Sequence, residues 1–261
     1  MKKYTTLLFI FLYSCSIYAI LPKSSYALPA YSTNKHEQII EYERYTVSYN
    51  TKCRIPNWVA WELTYDQTLG PSKGDLTFEK DKSIENCPSP AEYTNSGYSR
   101  GHMCPKADNK WNDKAYKESF YMTNVCPQNH EDLNNRTWKA LEELCRKNWC
   151  KKYDKIYIVC GPIIKGSSKK IGPNQDIYVP EEFFKAVLRV KFNKRGVIGA
   201  EAIGYIFKQD GSVRLCPVDY IENRTGLNLF HKLPNYVQDR AEADFNRDKW
   251  DRCESVSKTK R

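Results

Sequence analysis

Gly97-Tyr98-Ser99-Arg100-Gly101-His102-Met103-Cys104-Pro105 sets an arginine, a glycine and a histidine beside one another. A short way downstream stands Phe120-Tyr121-Met122-Thr123-Asn124-Val125-Cys126-Pro127-Gln128, leading through Asp132-Leu133-Asn134-Asn135-Arg136-Thr137-Trp138 to Leu141-Glu142. Hydrolysis of a phosphodiester needs groups of these kinds. A water must lose its proton as it attacks phosphorus, and an ordinary imidazole can take that proton at neutral pH. A divalent cation neutralises charge on the phosphoryl oxygens, and hard cations take oxygen ligands and keep several waters. An arginine fork holds phosphate. His102, Arg100, Asn134 and Glu142 are therefore candidates for base, phosphate ligand and metal oxygens. If Asn134 opens a helix, Glu142 follows about two turns later and roughly 80° round, on the same broad side. Residue types alone leave His102 equally open to a structural reading, because R-G-H arises by chance in many chains.

Working outward, residues 132–149 carry Trp138, Leu141, Leu144 and Cys145 at helical steps and predict the principal helix. Trp58–Thr64 reads as a buried strand, residues 65–97 as a long loop region, and 155–164, 186–192 and 197–207 as further strands. A last helix is expected over about 235–248. The elements do not alternate strictly as βαβ, which predicts an α+β fold with a largely antiparallel sheet in one domain, residues 44–261. Residues 28–43 read as a loose N-terminal arm.

The first 27 residues carry Lys2 and Lys3 ahead of a mostly apolar run, Leu7–Ile20. This predicts a signal peptide cleaved after Ala27 or Ala19, and a secreted or periplasmic protein without stable membrane insertion. A lipobox at Leu12-Tyr13-Ser14-Cys15, with a lipid on Cys15, is the minor alternative. Ten cysteines fit export, with disulfides expected over a zinc site because no pair has C-x-x-C spacing. The excess of 41 Lys+Arg over 31 Asp+Glu, +10 overall, favours polyanionic partners without proving one. His130 reads as an exposed loop residue, and His36 and His231 carry no context.

The two opening segments together resemble the DNA/RNA non-specific endonuclease family, the ββα-metal (His-Me finger) nucleases with the motif D-R-G-H. The downstream pattern T-N-x-x-P-Q, L-N, W-x-x-L-E is matched by Thr123-Asn124, Pro127-Gln128, Leu133-Asn134 and Trp138 through Glu142. Pro56–Trp61, Val159-Cys160-Gly161-Pro162, Pro180–Lys185 and Glu222–Leu227 are similar to further family segments. The resemblance implies an embedded ββα-metal motif and a nuclease acting on DNA and RNA with little sequence preference. It implies His102 as general base, Asn134 as metal ligand and Glu142 as a carboxylate acting on the metal through water. It also implies Arg100 on phosphate and Asn124 fixing His102 or the substrate. Mg²⁺ is the cofactor so implied, with Mn²⁺ or Ca²⁺ as alternatives, and the products are 5′-phosphate and 3′-hydroxyl ends. A homodimer is compatible with it. Two departures stand out: Ser99 replaces the family's Asp, and one extra residue lies between Gln128 and Asn134. A further phosphate-binding lysine is expected in the 65–97 loops, at Lys73, Lys80 or Lys82. The rival reading is a secreted nucleic-acid-binding module without catalysis.

Overall fold

Seven antiparallel strands build the central sheet of the computed structural model, which describes residues 25–30, 37–71, 73–166 and 168–251. In chain order the strands are β1 (Glu37–Glu41), β2 (Tyr45–Asn50), β3 (Ile55–Thr64), β4 (Ser99–His102), β5 (Val125–Gln128), β6 (Lys155–Ile163), β7 (Lys170–Ile171), β8 (Ile177–Tyr178), β9 (Glu182–Asn193), β10 (Gly196–Lys208) and β11 (Val213–Cys216). The large sheet runs β1-β2-β3-β6-β9-β10-β11, while β4-β5 and β7-β8 are separate two-stranded ribbons.

Period-two alternation sorts the core into two layers. Val59, Trp61 and Leu63 of β3, Ile156, Ile158 and Cys160 of β6, and Ile203, Tyr205 and Phe207 of β10 face one side. Trp58, Ala60, Tyr157, Val159, Phe184, Ala186, Leu188 and Ile206 face the other. The first side is covered by the β4-β5 ribbon and a helical run from His130 to Tyr153. The second is covered by the helices Val218–Thr225 and Asn235–Ala243 and by Ala27 and Leu28. Because both faces are buried, β6 and β9 read as continuous apolar runs rather than as alternating ones.

Three expectations are corrected. Residues 28–43 are not loose throughout: Ala27 and Leu28 are buried, and β1 pairs with β2 from Glu37↔Asn50 to Glu41↔Thr46. The disulfides are absent among the described residues, where eight cysteines are free thiols and all but Cys53 are buried. Burial pushes the Cys145, Cys150 and Cys160 thiols up to about 12, so they are protonated and pack as small apolar groups. The final helix breaks into Asn235–Ala243 and Arg247–Asp251. No described helix is long and apolar enough to cross a membrane. The expected signal peptide, up to residue 24, and Cys15, His36 and Cys253 lie outside the described residues.

Candidate active site

The β4-β5 ribbon sets the histidine. Its register pairs Ser99 with Gln128 and His102 with Val125. Gly101 is required because any Cβ there would lie 2.0 Å from Oε1 of Gln128, whose side chain is wholly buried across it. Alternation then brings Arg100 and His102 to one face of the strand. Asn124 is also wholly buried, so it cannot touch substrate. Its Oδ1 accepts from the Cys104 amide at 2.8 Å, and its Nδ2 donates to the carbonyls of Cys104 (2.8 Å) and Ser119 (2.9 Å). Asn124 thus fixes the backbone just after His102 rather than the imidazole itself. Trp138 steadies the same backbone, with Nε1 donating to the His102 carbonyl at 3.1 Å.

The imidazole lies between the rings of Phe78 and Phe120, with centroids at 4.9 and 5.3 Å. The half-buried ring leaves Nε2 buried and without a partner. Desolvation, then the positive charge of Lys106, holds its pKa down to about 4, against a smaller opposing pull from Asp75. The imidazole is consequently neutral at physiological pH, the form a proton acceptor needs.

Phe78 and Asp75 come from the long 65–97 loop. Glu79 anchors that loop by donating to the Phe120 carbonyl (3.0 Å) and accepting from the Met122 amide (2.9 Å). Sequence patterning could not show this, because the contact is a single bridge between distant segments.

The helical run starts at Asn129, whose side chain caps the amides of Glu131 and Asp132. Its first segment, His130–Trp138, is π-helical, and the Asn134 amide bonds back five residues to the Asn129 carbonyl at 2.9 Å. A π turn holds one more residue than an α turn. It therefore accommodates the extra residue before Asn134. Asn134 is half-buried and Asn135 exposed, and Glu142 follows in the α-helical segment Lys139–Leu144. Burial pushes the Glu142 carboxyl up, and the charges of Lys185 and Arg146 oppose that shift. Lys185 sits 1% exposed between Phe184 and Ala186 of β9, its Nζ 3.8 Å from the centroid of Trp138.

A cleft of about 630 Å³ gathers these groups: Arg100, His102, Asn134 and Glu142 line it together. Lys106, Lys139 and Arg146 line it too, and sequence reasoning missed all three along with Phe78 and Lys185. The expected phosphate lysines are elsewhere. Lys73 pairs with Asp113, and none of Lys73, Lys80 and Lys82 lines the cleft. Lys106 pairs with Asp75 at the mouth, and Arg146 donates to Asp108 at 2.8 Å. Arg100 donates through Nε and Nη2 to the Pro90 carbonyl, at 3.1 and 2.8 Å. His130, expected to be an ordinary loop residue, is bonded to Ser99.

A family profile described as DNA/RNA non-specific endonuclease matches residues 24–236. The nuclease EXOG of Danio rerio is 30% identical over 74% of this chain and 60% of its own length. A nuclease of Nostoc sp. is 29% identical over 88% of this chain and 86% of its own. The chain spans about half the length of the vertebrate EXOG relatives it matches, 48% for Xenopus laevis and 43% for Mus musculus. A solved structure of EndoG in complex with EndoGI shares the fold, with a TM-score of 0.67 at 24% identity, covering 81% of this chain and 91% of that one. Relatives from Danio rerio, Mus musculus and Saccharomyces cerevisiae carry mitochondrial names, which overturns the expectation of a secreted or periplasmic protein. The matched profile and the shared fold place the chain in the DNA/RNA non-specific endonuclease family.

Proposed function

We propose that the protein is a divalent-metal-dependent nuclease that hydrolyses phosphodiester bonds of DNA and RNA with little sequence preference, leaving 5′-phosphate and 3′-hydroxyl ends. The observation that carries this reading is a neutral His102 lining one cleft with Asn134, Glu142 and basic side chains. His102 accepts the proton of the attacking water at a ring nitrogen. Phe78 and Phe120 shield the ring and keep it from being protonated by bulk solvent. Arg100, already anchored on the Pro90 carbonyl, is positioned to hold a phosphate oxygen, and Lys106 and Lys139 add positive charge. The donor set fits a hard cation: the Asn134 side-chain amide and the Glu142 carboxylate line the same cleft and offer oxygen ligands. Asn134 would hold Mg²⁺ directly and Glu142 through water, and the bound ion would neutralise charge on the phosphoryl and leaving oxygens. The N-terminal segment would serve as a targeting leader, and the packing of Tyr26, Ala27 and Leu28 favours its removal after Ala19 over removal after Ala27. The mitochondrial names of the relatives point that leader to the same organelle.

The purified protein is expected to degrade plasmid DNA and RNA with Mg²⁺ and to stop on adding EDTA. His102→Ala is expected to lower kcat by about 10²–10⁴-fold with an unchanged thermal midpoint. Full cleavage by His102→Ala, or cleavage indifferent to EDTA, would overturn the assignment.

A further inference from the structure

His130 is held at both ring nitrogens. Oγ of Ser99 lies 2.6 Å from Nδ1, and Nδ2 of Asn135 lies 3.1 Å from Nε2. With Nδ2 facing the ring, the amide can only donate, so Nε2 carries no proton. The tautomer selected by this contact has its proton on Nδ1 and donates it to Ser99 Oγ. A hydroxyl that accepts in this way keeps its own hydrogen for another acceptor. Asn135 likewise retains its second N–H.

Ser99 and Asn135 both line the cleft that holds Arg100, His102, Asn134 and Glu142. Strand alternation puts the Ser99 side chain on the opposite side of β4 from His102, so it belongs to the rim rather than to the attacking water. The two ends of the set are fixed independently: Ser99 is paired with Gln128 in the ribbon, and His130 begins the helix capped by Asn129. Exposed Lys139 lines the same cleft and adds positive charge.

From this we infer that Ser99, His130 and Asn135 form an uncharged phosphate-binding ledge that takes a backbone phosphate flanking the scissile one. Ser99 and Asn135 supply the hydrogens, and His130 acts as a positioning residue that orients the serine hydroxyl. A carboxylate at position 99, the residue the family resemblance leads one to expect, would repel a phosphate at this spot. The serine removes that charge, and His130 orients its hydroxyl. The inference rests on the nuclease reading for its substrate.

The test is steady-state cleavage of a short fluorescent DNA duplex of defined sequence by the full-length protein with Mg²⁺. Ser99→Ala is expected to raise KM about tenfold, the loss of a hydrogen bond to a charged group, with kcat unchanged. His130→Ala is expected to raise KM about threefold, and His130→Gln, which keeps a donor, to restore part of it. Ser99→Asp is expected to raise KM further than Ser99→Ala. On duplexes carrying an uncharged methylphosphonate at one flanking position, wild type and Ser99→Ala should have equal KM. An unchanged KM in Ser99→Ala overturns the ledge. So does a fall in kcat alone, or a KM defect that persists at every methylphosphonate position. If the wild type does not cleave at all, the nuclease reading fails; fluorescence anisotropy with the same duplexes then decides the ledge, through the same differences in Kd.

Discussion

His102 owes its chemistry to where burial puts its proton. Desolvation between two phenyl rings and the charge of Lys106 lower its pKa from 6.5 to about 4, and Asp75 opposes them. Only the unprotonated ring can accept a proton, so lowering the pKa extends activity toward acid rather than curtailing it. The acid limb of kcat/KM is expected near pH 4, well below the 6.5 of a solvated imidazole, at saturating Mg²⁺. Lys106→Met should move the limb upward and Asp75→Asn downward, since their charges act with opposite signs. A limb centred near pH 6.5 in the wild type, or no movement in either variant, would mean that the ring is solvated. Of the residues that line this cleft, His102, Asn134 and Glu142 were candidates by residue type, and the family resemblance supplied their implied roles. Phe78, Lys106 and Lys185 were not, because each reaches the site through a tertiary contact. Lys185 was further hidden within the apolar stretch Phe183–Leu188, where a single lysine has no periodic signal.

Helices Val218–Thr225 and Asn235–Ala243 meet over the face of the sheet that lies away from the cleft, and their contact holds like charges. Asp219, Glu222 and Glu242 have carboxylate oxygens within 4.8 Å of one another. Glu242 is 4% exposed, and its pKa is raised to about 8, mainly by desolvation and then by Glu222, against a hydrogen bond from Gln238. A carboxyl with a raised folded pKa holds its proton more tightly in the native state than in the unfolded chain. Its contribution is therefore full below the unfolded value, about 4.5, and is lost as pH rises through about 8. Thermal midpoints of the wild type should fall between about pH 4.5 and pH 8, and Glu242→Gln should flatten that decline. Parallel declines in the two proteins would assign the effect to other groups. The same elements show what sequence patterning reaches. The strands β3, β6, β9 and β10 and the helical run were legible through apolar runs and helical steps. The strands β4 and β5 were not, since Ser-Arg-Gly-His and Val-Cys-Pro-Gln become strands through each other's pairing. The π turn before Asn134 announced itself only as one residue too many.

The molecule carries +10 overall, yet screening at about 10 Å in 0.1 M salt lets only nearby charges act on a bound strand. Around the cleft those are Arg100, Lys106 and Lys139, with Arg146 engaged by Asp108. Three phosphate contacts would give log Kd a slope against log salt of about 2.7 for duplex DNA and about 2.1 for a single strand. Between 50 and 200 mM salt, duplex binding should weaken about fortyfold and single-stranded RNA binding about twentyfold. The uncleaving His102→Ala variant is the protein to use, since Kd is then read without turnover. Lys139→Met should reduce the slope by about 1 for either nucleic acid, because it removes one released counterion. Neutralising Lys151 and Lys152, which do not line the cleft, should leave the slope as it was. If that pair changes the slope and Lys139 does not, the nucleic acid runs over a different face. The cleft around His102 would then be too sparsely contacted to hold a strand in line for attack.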